Sequence, residues 1–497
     1  MDTAFLTLSP FQQALVTAYF VLWSAFAALG LRRLWMIWLY RRGRRREIDV
    51  TRTERLPHVT VQLPVYNEVY VIRRLIRSVA ALDYPRELLE IQVLDDSNDG
   101  TVEAAREEVE RLRAEGIDIV HIQRPDRVGY KAGALEYGMK RAKGELLLIF
   151  DADFIPRPNL LKEITPYFGD DNVGMVQVRW DHLNPDYSLL SRIQSISLDG
   201  HFIIEHEARS KNNHFFNFNG TAGMWRKCCI EAAGGWQHDT LTEDLDLSYR
   251  AQLAGWRFVY LLDVTCPSEL PVDMNAFKNQ QFRWVKGSVQ VAKKVLPLIW
   301  KADLPLRKKI ESSVHLTHNM TYLLVLLLSL FVYPAVLIRF ASGWFTSAPV
   351  ELVFFSLATI SVLIFYGVAM SGAQRGWRKQ ARYFPAVMSV AIGLSVNNSR
   401  AILEGLLGKE TPFHRTPKYD IRGKEGTITG KLYRGLPSGT SLIELALSAY
   451  FAVILVFTLR HGLFGAVPFV LLFLFGYLYV GVLSLGWTRS RVRAAQP

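Results

Sequence analysis

The hydrophobic positions of this chain form long continuous runs near both ends and short alternating runs in the middle. The apolar run 11–31 precedes Arg32 and Arg33. A cleaved signal peptide would carry its charges first, so we expect an uncleaved membrane span with its N-terminus outside. Four later runs are long enough, or nearly so, to cross a hydrocarbon core of about 30 Å. They predict spans near 320–339, 348–370, 440–459 and 463–487.

The apolar segment 382–407 differs because Asn397, Asn398, Arg400 and Glu404 interrupt it. If it spanned the membrane, the basic loop that follows would lie outside. A helix lying along the inner interface keeps that loop in the cytoplasm, as the positive-inside rule favours. This interpretation gives five spans in the plasma (inner) membrane and a cytoplasmic middle domain.

The middle of the chain alternates β-rich runs with helical stretches from His58 onward. Helices are predicted at 68–82, 101–115 and 131–142, between strands of which several end in acidic motifs. This alternation is typical of a doubly wound, mostly parallel sheet. In such sheets ligands bind beyond the carboxyl ends of the strands. The motifs "YNE", "DDSND" and "DAD" would all lie on that edge.

Two common nucleotide-binding signatures do not occur where this fold would place them. The first strand is not followed by a Gly-x-Gly-x-x-Gly turn, which argues against a dinucleotide oxidoreductase. The chain also has no Gly-Lys-Ser/Thr phosphate loop, which argues against an NTPase.

The net charge of +12 is concentrated in clusters beside the apolar runs, such as "RRGRRR" at 41–46. This placement suits the cytoplasmic edge of a membrane, where anionic lipids attract Lys and Arg. We therefore expect membrane lipids as partners, and not nucleic acid.

Asp151 and Asp153 flank one small residue after a buried run. Alternate positions at a strand end point the same way, so both carboxylates can face one cation. Oxygen ligands suit Mg²⁺ or Mn²⁺. Further along, Thr242 precedes Glu243 and Asp244 at a predicted helix start that Gly255 closes. These residues suit helix capping as well as catalysis.

The stretch "QQFRWVKGS", residues 280–288, predicts an amphipathic helix shortly before the membrane runs. Gln280, Arg283 and Trp284 would share one face of it. One interpretation is an interfacial helix with a Trp anchor. The other is a sugar-binding surface, because an indole offers a flat apolar face to a pyranose ring.

Taken in order, "DDSND", "DAD", "TED" and "QQFRW" resemble the processive family 2 glycosyltransferases, the membrane synthases of cellulose, mannan, chitin and hyaluronan. The stretches "GYKAGAL", "FNGTAGMWR" and "EAAGGW" are most similar to the cellulose synthase-like A and C proteins. Those proteins make (gluco)mannan and β-glucan backbones.

The resemblance implies an α/β fold. Its doubly wound GT-A-type glycosyltransferase domain would be cytoplasmic and inserted between transmembrane helices. It divides the chain into an N-terminal span and basic linker, the glycosyltransferase domain with interfacial helices, two spans, an interfacial helix with a gating loop, and two final spans with a short tail. The corresponding boundaries are 1–57, 58–315, 316–381, 382–437 and 438–497.

The resemblance also assigns roles to residues of this sequence. Asp244 would be the general base, and Asp151 and Asp153 would hold Mg²⁺ or Mn²⁺. The acceptor would be bound by Gln280, Trp284, Glu243 and Asn219. The nucleotide sugar would be bound by Tyr66, Glu68, Asp95, Asp96, Lys131, Asp151, Arg283, Thr416 and Lys418. Phe413, Thr416 and Lys418 fit the gating loop, in which Arg415 stands where the family has Val.

The implied activity is inverting transfer from UDP-glucose or GDP-mannose to a nascent β-linked polysaccharide, such as β-1,4-mannan, glucomannan or β-glucan, that crosses the membrane as it grows. One alternative is a non-processive enzyme that forms a glycolipid. Another is a transporter or scaffold whose α/β domain only binds nucleotide. If replacing Asp244 by Asn abolishes product formation but leaves donor binding intact, the transporter or scaffold alternative is excluded.

Overall fold

The computed structural model describes residues 8–48, 50–343 and 350–494. The described part begins with the 34-residue helix α1, Pro10–Gly43. Ser9 caps this helix by accepting a hydrogen bond from the backbone of Gln12, and a proline occupies its first turn. The apolar composition of α1 agrees with the span predicted at 11–31.

A seven-stranded sheet forms the centre of the chain. Its strands are β1 Val59–Val65, β2 Leu89–Asp95, β3 Ile119–Gln123, β4 Leu146–Ile149, β5 Val173–His182, β6 Gly223–Arg226 and β7 Arg257–Ser268. Their order is β3-β2-β1-β4-β6-β5-β7. Only β6 runs against its neighbours β4 and β5. The predicted doubly wound, mostly parallel sheet is therefore confirmed, with one reversed strand.

Helices cover both faces of this sheet. They are α2 Ile72–Ala80, α3 Thr101–Ala114, α4 Tyr130–Met139, α5 Leu160–Ile164, α6 Leu189–Asp199, α7 Glu207–Lys211, α8 Lys227–Ala232 and α9 Glu243–Leu253. A π-helical segment, Gly200–His206, joins α6 to α7. The predicted helices at 68–82, 101–115 and 131–142 correspond to α2, α3 and α4. Helix α2 starts later than predicted because Asn67 takes a positive φ of 54° and a turn precedes Ile72.

Alternation along the strands builds one hydrophobic core on each face of the sheet. On β4, Leu146 and Leu148 join the core formed with α2, α3 and α5. Leu147 and Ile149 join the opposite core, which contains residues of α4, α8 and α9. Because both faces are buried, the strand reads as a continuous apolar run, as parallel strands in such folds do.

The remaining helices lead from the sheet into the apolar part of the chain. They are α10 Met274–Lys301, α11 Leu306–Thr317, α12 Thr321–Ala341, α13 Val350–Gly372, α14 Trp377–Gln380, α15 Phe384–Gly393, α16 Ser395–Leu406, α17 Ser441–Arg460 and α18 Val467–Ala494.

Four described stretches are long and apolar enough to cross a membrane: Pro10–Gly43, Leu306–Ala341, Ser441–Arg460 and Phe464–Leu485. They match four of the five predicted spans. The fifth, at 348–370, corresponds to α13, and its residues 348 and 349 lie outside the described part of the chain.

The segment 382–407 is not one continuous helix. It breaks at Leu394, and the two arms, Trp377–Gly393 and Ser395–Leu406, meet at 42°. Gly393 packs directly on α18, since a Cβ there would lie 2.3 Å from the carbonyl oxygen of Gly476. The interfacial position of this segment stays a prediction.

Candidate functional site

One cavity opens at the sheet edge where β1, β2, β4 and β7 end, and it extends to α10 and to the loop after α16. It is lined by every predicted site residue except Asp95. These lining residues are Tyr66, Glu68, Asp96, Lys131, Asp151, Asp153, Asn219, Glu243, Asp244, Gln280, Arg283, Trp284, Thr416 and Lys418. The fold thus brings together side chains that are up to 352 positions apart in sequence.

Asp95 lies behind the cavity wall. Its side chain is fully buried. Its carboxylate accepts a hydrogen bond from the backbone N–H of Ser97 at 2.9 Å and lies 2.8 Å from Nε2 of His121. The next residue, Asp96, reaches the cavity and pairs with Arg124. Neighbouring side chains at a strand end point in opposite directions. Asp95 therefore stabilises the turn after β2, and Asp96 faces the cavity.

Asp151 and Asp153 lie in the turn after β4, not on the strand itself, because the ladder ends at Ile149. Both still reach the cavity, and each pairs with a different lysine. Asp151 pairs with Lys131, and Asp153 Oδ2 lies 2.7 Å from Nζ of Lys418. Burial opposes the charge on both lysines, but the carboxylates outweigh it and raise the pKa of each.

The oxygen donors of Asp151 and Asp153 fit a hard divalent cation. The described residues contain no group of three or more His, Cys, Asp or Glu side chains placed to hold a metal. Mg²⁺ and Mn²⁺ commonly bind through one or two carboxylates, and substrate phosphates and water complete the shell. A two-carboxylate site is therefore chemically sufficient if a diphosphate binds beside it.

Helix α9 delivers Glu243 and Asp244 to the cavity from its first turn. The expected capping by the Thr242 side chain does not occur. That side chain packs instead against Gly287 of α10, where an added Cβ would lie 2.5 Å from Thr242 Oγ1. The start of α9 therefore packs against α10 through Thr242. The helices can approach this closely because Gly287 has no side chain.

Burial raises the pKa of Asp244 to about 7, and the neighbouring Glu243 carboxylate adds to the shift. Burial also raises the pKa of Glu243. A carboxylate whose pKa lies near neutrality can accept a proton efficiently at physiological pH. Strongly shifted carboxyl groups in a cavity are common at catalytic sites.

Gly220, which was not predicted from the sequence, leaves space for the Asp244 carboxylate. It takes a φ of +80°, and a Cβ there would lie 3.0 Å from Oδ2 of Asp244. Its carbonyl oxygen accepts a hydrogen bond from Nζ of Lys131 at 2.8 Å. The neighbouring Asn219 lines the cavity, and its side-chain amide lies 3.1 Å from Nε2 of His206 in the π-helical segment.

Gln280, Arg283 and Trp284 lie at i, i+3 and i+4 on α10 and face the cavity together, as predicted. Arg283 donates a hydrogen bond to Oγ1 of Thr416 at 3.0 Å. Its guanidinium also lies 4.6 Å from the ring centre of Phe413, a cation–π contact. The three residues thus form a surface that the loop after α16 partly covers.

The loop residues 413–418 cover the side of the cavity that Tyr66, Glu68 and Tyr130 line. Phe413 stacks on Tyr130 with ring centres 5.6 Å apart. Arg415, the departure from the family pattern, lies 3.0 Å from the Glu68 carboxylate and 4.2 Å from the ring centre of Tyr433. Burial raises the pKa of Glu68 to about 8, although Arg415 and Lys418 oppose the shift.

Two further cavity residues escaped the sequence reasoning. Arg127 lies over the Tyr66 ring at 3.2 Å. Glu269 donates its backbone N–H to Asp153 Oδ2 at 3.1 Å and accepts a hydrogen bond from the backbone of Tyr419. Glu269 directly follows β7, whose carboxyl end lies on the ligand-binding edge. An assignment of β7 as a parallel strand would have pointed to it.

The chain was compared with known protein families, curated proteins and solved structures. Residues 57–287 match the family described as "Glycosyltransferase like family 2". Glucomannan 4-beta-mannosyltransferase 2 of Arabidopsis thaliana is 46% identical over 245 residues, which cover 48% of this chain and 46% of the relative. Glucomannan 4-beta-mannosyltransferase 1 of Oryza sativa subsp. japonica is 42% identical over 274 residues, covering 54% and 52%. The chain thus spans about half the length of these curated relatives.

Among solved structures, the mannosyltransferase PcManGT from Pyrobaculum calidifontis, in complex with GDP-Man and Mn²⁺, covers 80% of this chain and 100% of its own. The TM-score is 0.54 and the sequence identity is 23%. At that identity the likeness concerns the fold, and it agrees with the predicted GT-A architecture.

Proposed function

We propose, on the premise that residues 57–287 form a family 2 glycosyltransferase domain, that this protein is an inverting, membrane-embedded mannosyltransferase. It extends a β-linked mannan or glucomannan from GDP-mannose and passes the growing chain across the membrane. The single observation that carries the proposal is the placement of Asp244, with its pKa near neutrality, in the same cavity as Asp151, Asp153 and Arg283.

Asp244 is the general base of the proposed reaction. The acceptor hydroxyl loses its proton to this carboxylate as its oxygen attacks the anomeric carbon of the donor. One displacement inverts the anomeric centre, so an α-linked donor yields a β-linked product and no covalent enzyme intermediate forms. Gly220 keeps the carboxylate accessible, and Glu243 beside it raises its basicity by charge repulsion.

The leaving nucleoside diphosphate is received by positive groups around the cavity. Arg283 presents a planar guanidinium that suits phosphate oxygens, and Lys131 and Lys418 stand beside the two aspartates. Asp151 and Asp153 would hold the divalent cation. When bound, Mg²⁺ or Mn²⁺ neutralises charge that develops on the diphosphate as the glycosidic bond breaks.

The acceptor end of the polymer rests on α10. Trp284 supplies a face for a sugar ring and Gln280 supplies amide hydrogen bonds. Helix α10 leads from the sheet into the apolar part of the chain, and this position of the acceptor surface supports the proposed translocation.

GDP-mannose is the proposed donor because the curated relatives are named glucomannan 4-beta-mannosyltransferases. The catalytic domain is proposed to lie in the cytoplasm, and the basic clusters beside the apolar helices support this orientation. The plasma (inner) membrane remains the proposed location.

The test uses the purified full-length protein in sealed lipid vesicles, with radiolabelled GDP-mannose or UDP-glucose and Mg²⁺ or Mn²⁺. The proposal predicts a high-molecular-weight product from GDP-mannose that a β-1,4-mannanase digests. Protection of that product from external mannanase would support translocation. A single labelled sugar in the lipid extract would instead identify a non-processive enzyme that forms a glycolipid.

A further inference from the structure

A second concave surface lies apart from the catalytic cavity, where the end of α1 meets the start of α11 and the turn after α7. We name it the α1/α11 groove. It is defined by Trp35, Trp38, Arg42, Arg46, Arg307 and Ile310. The proposed reaction uses none of these residues.

Three guanidinium groups converge on the α1/α11 groove. Arg42 lies 5.2 Å from the ring centre of Trp38, and Arg46 uses one terminal nitrogen to contact the carbonyl oxygen of Lys211 at 3.3 Å. Arg307 is exposed at the start of α11. These side chains retain donors that can turn toward a ligand, because each guanidinium carries five N–H groups.

The one acidic residue that lines the groove is already neutralised. Glu311 Oε1 accepts a hydrogen bond from the fully buried Arg209 at 3.2 Å and lies 3.6 Å from Arg32. The groove is therefore positive, and a negative ligand would meet uncompensated charge there.

The apolar part of the groove faces outward. Trp35 and Trp38 are 49% and 45% exposed, and their rings stack 4.7 Å apart. On α11, Leu306 and Ile310 are also exposed. Tryptophans at the end of an apolar helix, followed by arginines, are typical of the level where lipid headgroups meet the acyl chains. A ligand of this groove would therefore have a negative head and an apolar body.

We propose that the α1/α11 groove binds an anionic phospholipid. Its phosphate pairs with Arg42, Arg46 and Arg307, since guanidinium groups match phosphate oxygens in a bidentate geometry. Its glycerol and upper acyl region lie against Trp35, Trp38 and Ile310. The charge of the groove favours a lipid with net negative charge over a zwitterionic one, whose own ammonium would be repelled.

The experiment is a lipid titration of the full-length protein followed by native mass spectrometry. Phosphatidylglycerol and phosphatidylcholine with identical acyl chains are compared. The groove variant is Arg42→Gln/Arg307→Gln, which spares the hydrogen bonds of Arg46 to the turn after α7. The matched control is Arg41→Gln/Arg44→Gln, which removes two exposed arginines from the same basic segment but outside the groove.

We expect the wild-type protein and the control to prefer phosphatidylglycerol, and the groove variant to bind it about tenfold more weakly. Quenching of tryptophan fluorescence by brominated phosphatidylglycerol should also fall when Trp35 and Trp38 are replaced by Phe. Equal losses in both double variants would overturn the proposal, because they would indicate diffuse attraction to the whole basic segment. A wild-type protein without preference between the two lipids would overturn it as well.

Discussion

Arg283 on α10 donates a hydrogen bond to the hydroxyl of Thr416 at 3.0 Å, and this contact joins the proposed acceptor surface to the loop over the proposed nucleotide-binding side of the cavity. The loop is held from both sides, because Lys418 pairs with Asp153 at 2.7 Å and Arg415 with Glu68 at 3.0 Å. The structure thus has the loop closed, and its closure depends on groups that would also contact the donor.

Replacing Thr416 by Val tests this contact. Valine keeps the shape of the side chain but cannot accept the hydrogen bond from Arg283. A hydrogen bond to a charged group contributes about 1.5–3 kcal/mol, so we expect the KM for the donor to rise about tenfold or more. Thr427→Val, at an exposed threonine further along the same loop, should leave the KM unchanged. Equal KM values in both variants would contradict the role of Thr416.

The pH dependence of the rate should follow the ionisation of Asp244. Burial raises its pKa to about 7, so the protonated, inactive form dominates below that value and the base is free above it. The rate should therefore rise from pH 5 to a plateau above pH 8, with about a tenth of the plateau left at pH 6. The measurement is initial rate against pH at saturating donor.

The variant Glu243→Gln provides the control for this profile. Its neutral amide removes the repulsion that Glu243 adds to the burial of Asp244, so the midpoint of the acid limb should move to lower pH. An acid limb that keeps its midpoint in this variant would argue that another group controls the rate.

Trp284 should control the length of the product more than the chemistry. Without its indole face the polymer end has less to stack on, and it dissociates more often. We expect Trp284→Ala to yield much shorter chains and Trp284→Phe to yield intermediate ones, measured by gel filtration of labelled product. Trp300→Ala, at an exposed tryptophan on the same helix, should leave chain length unaltered.

A buried ion pair ties the site to the apolar helices. Nζ of Lys278 on α10 lies 2.8 Å from Oε1 and 2.9 Å from Oε2 of Glu444 on α17, and both side chains are fully buried. Lys278→Met would leave a buried carboxylate unpaired, which costs about 3–5 kcal/mol. We expect a lower Tm in detergent for this variant.

The double variant Lys278→Met/Glu444→Leu provides the control for that loss. It removes both charges, so it should recover most of the Tm. A double variant as unstable as the single one would show that the two helices need the polar groups themselves.

Much of the catalytic domain could be predicted because its strands and motifs are local features of the sequence. The run before Asp151 is apolar on both faces, and it proved to be β4 at the centre of the sheet. Gln280, Arg283 and Trp284 share a helix face that periodicity alone predicts.

Other features depend on contacts between distant segments, and local pattern carries no information about them. The reversed strand β6 was missed because four residues have too little periodicity to give a direction. Thr242 has the composition of a helix cap, but its side chain faces Gly287, which is 45 positions later. The difference between Asp95 and Asp96 likewise depends on His121 and Arg124, which lie on and after the neighbouring strand β3.

The most direct measurement compares wild-type protein with Asp244→Asn for incorporation of labelled mannose from GDP-mannose into polymer, together with donor binding by calorimetry. The exposed substitution Glu231→Gln serves as the control. Loss of a general base costs on the order of 10²–10⁴ in rate. We therefore predict that Asp244→Asn binds GDP-mannose normally but makes at least about a hundredfold less polymer. Polymer synthesis within about tenfold of wild type would contradict the assignment of Asp244 as the base.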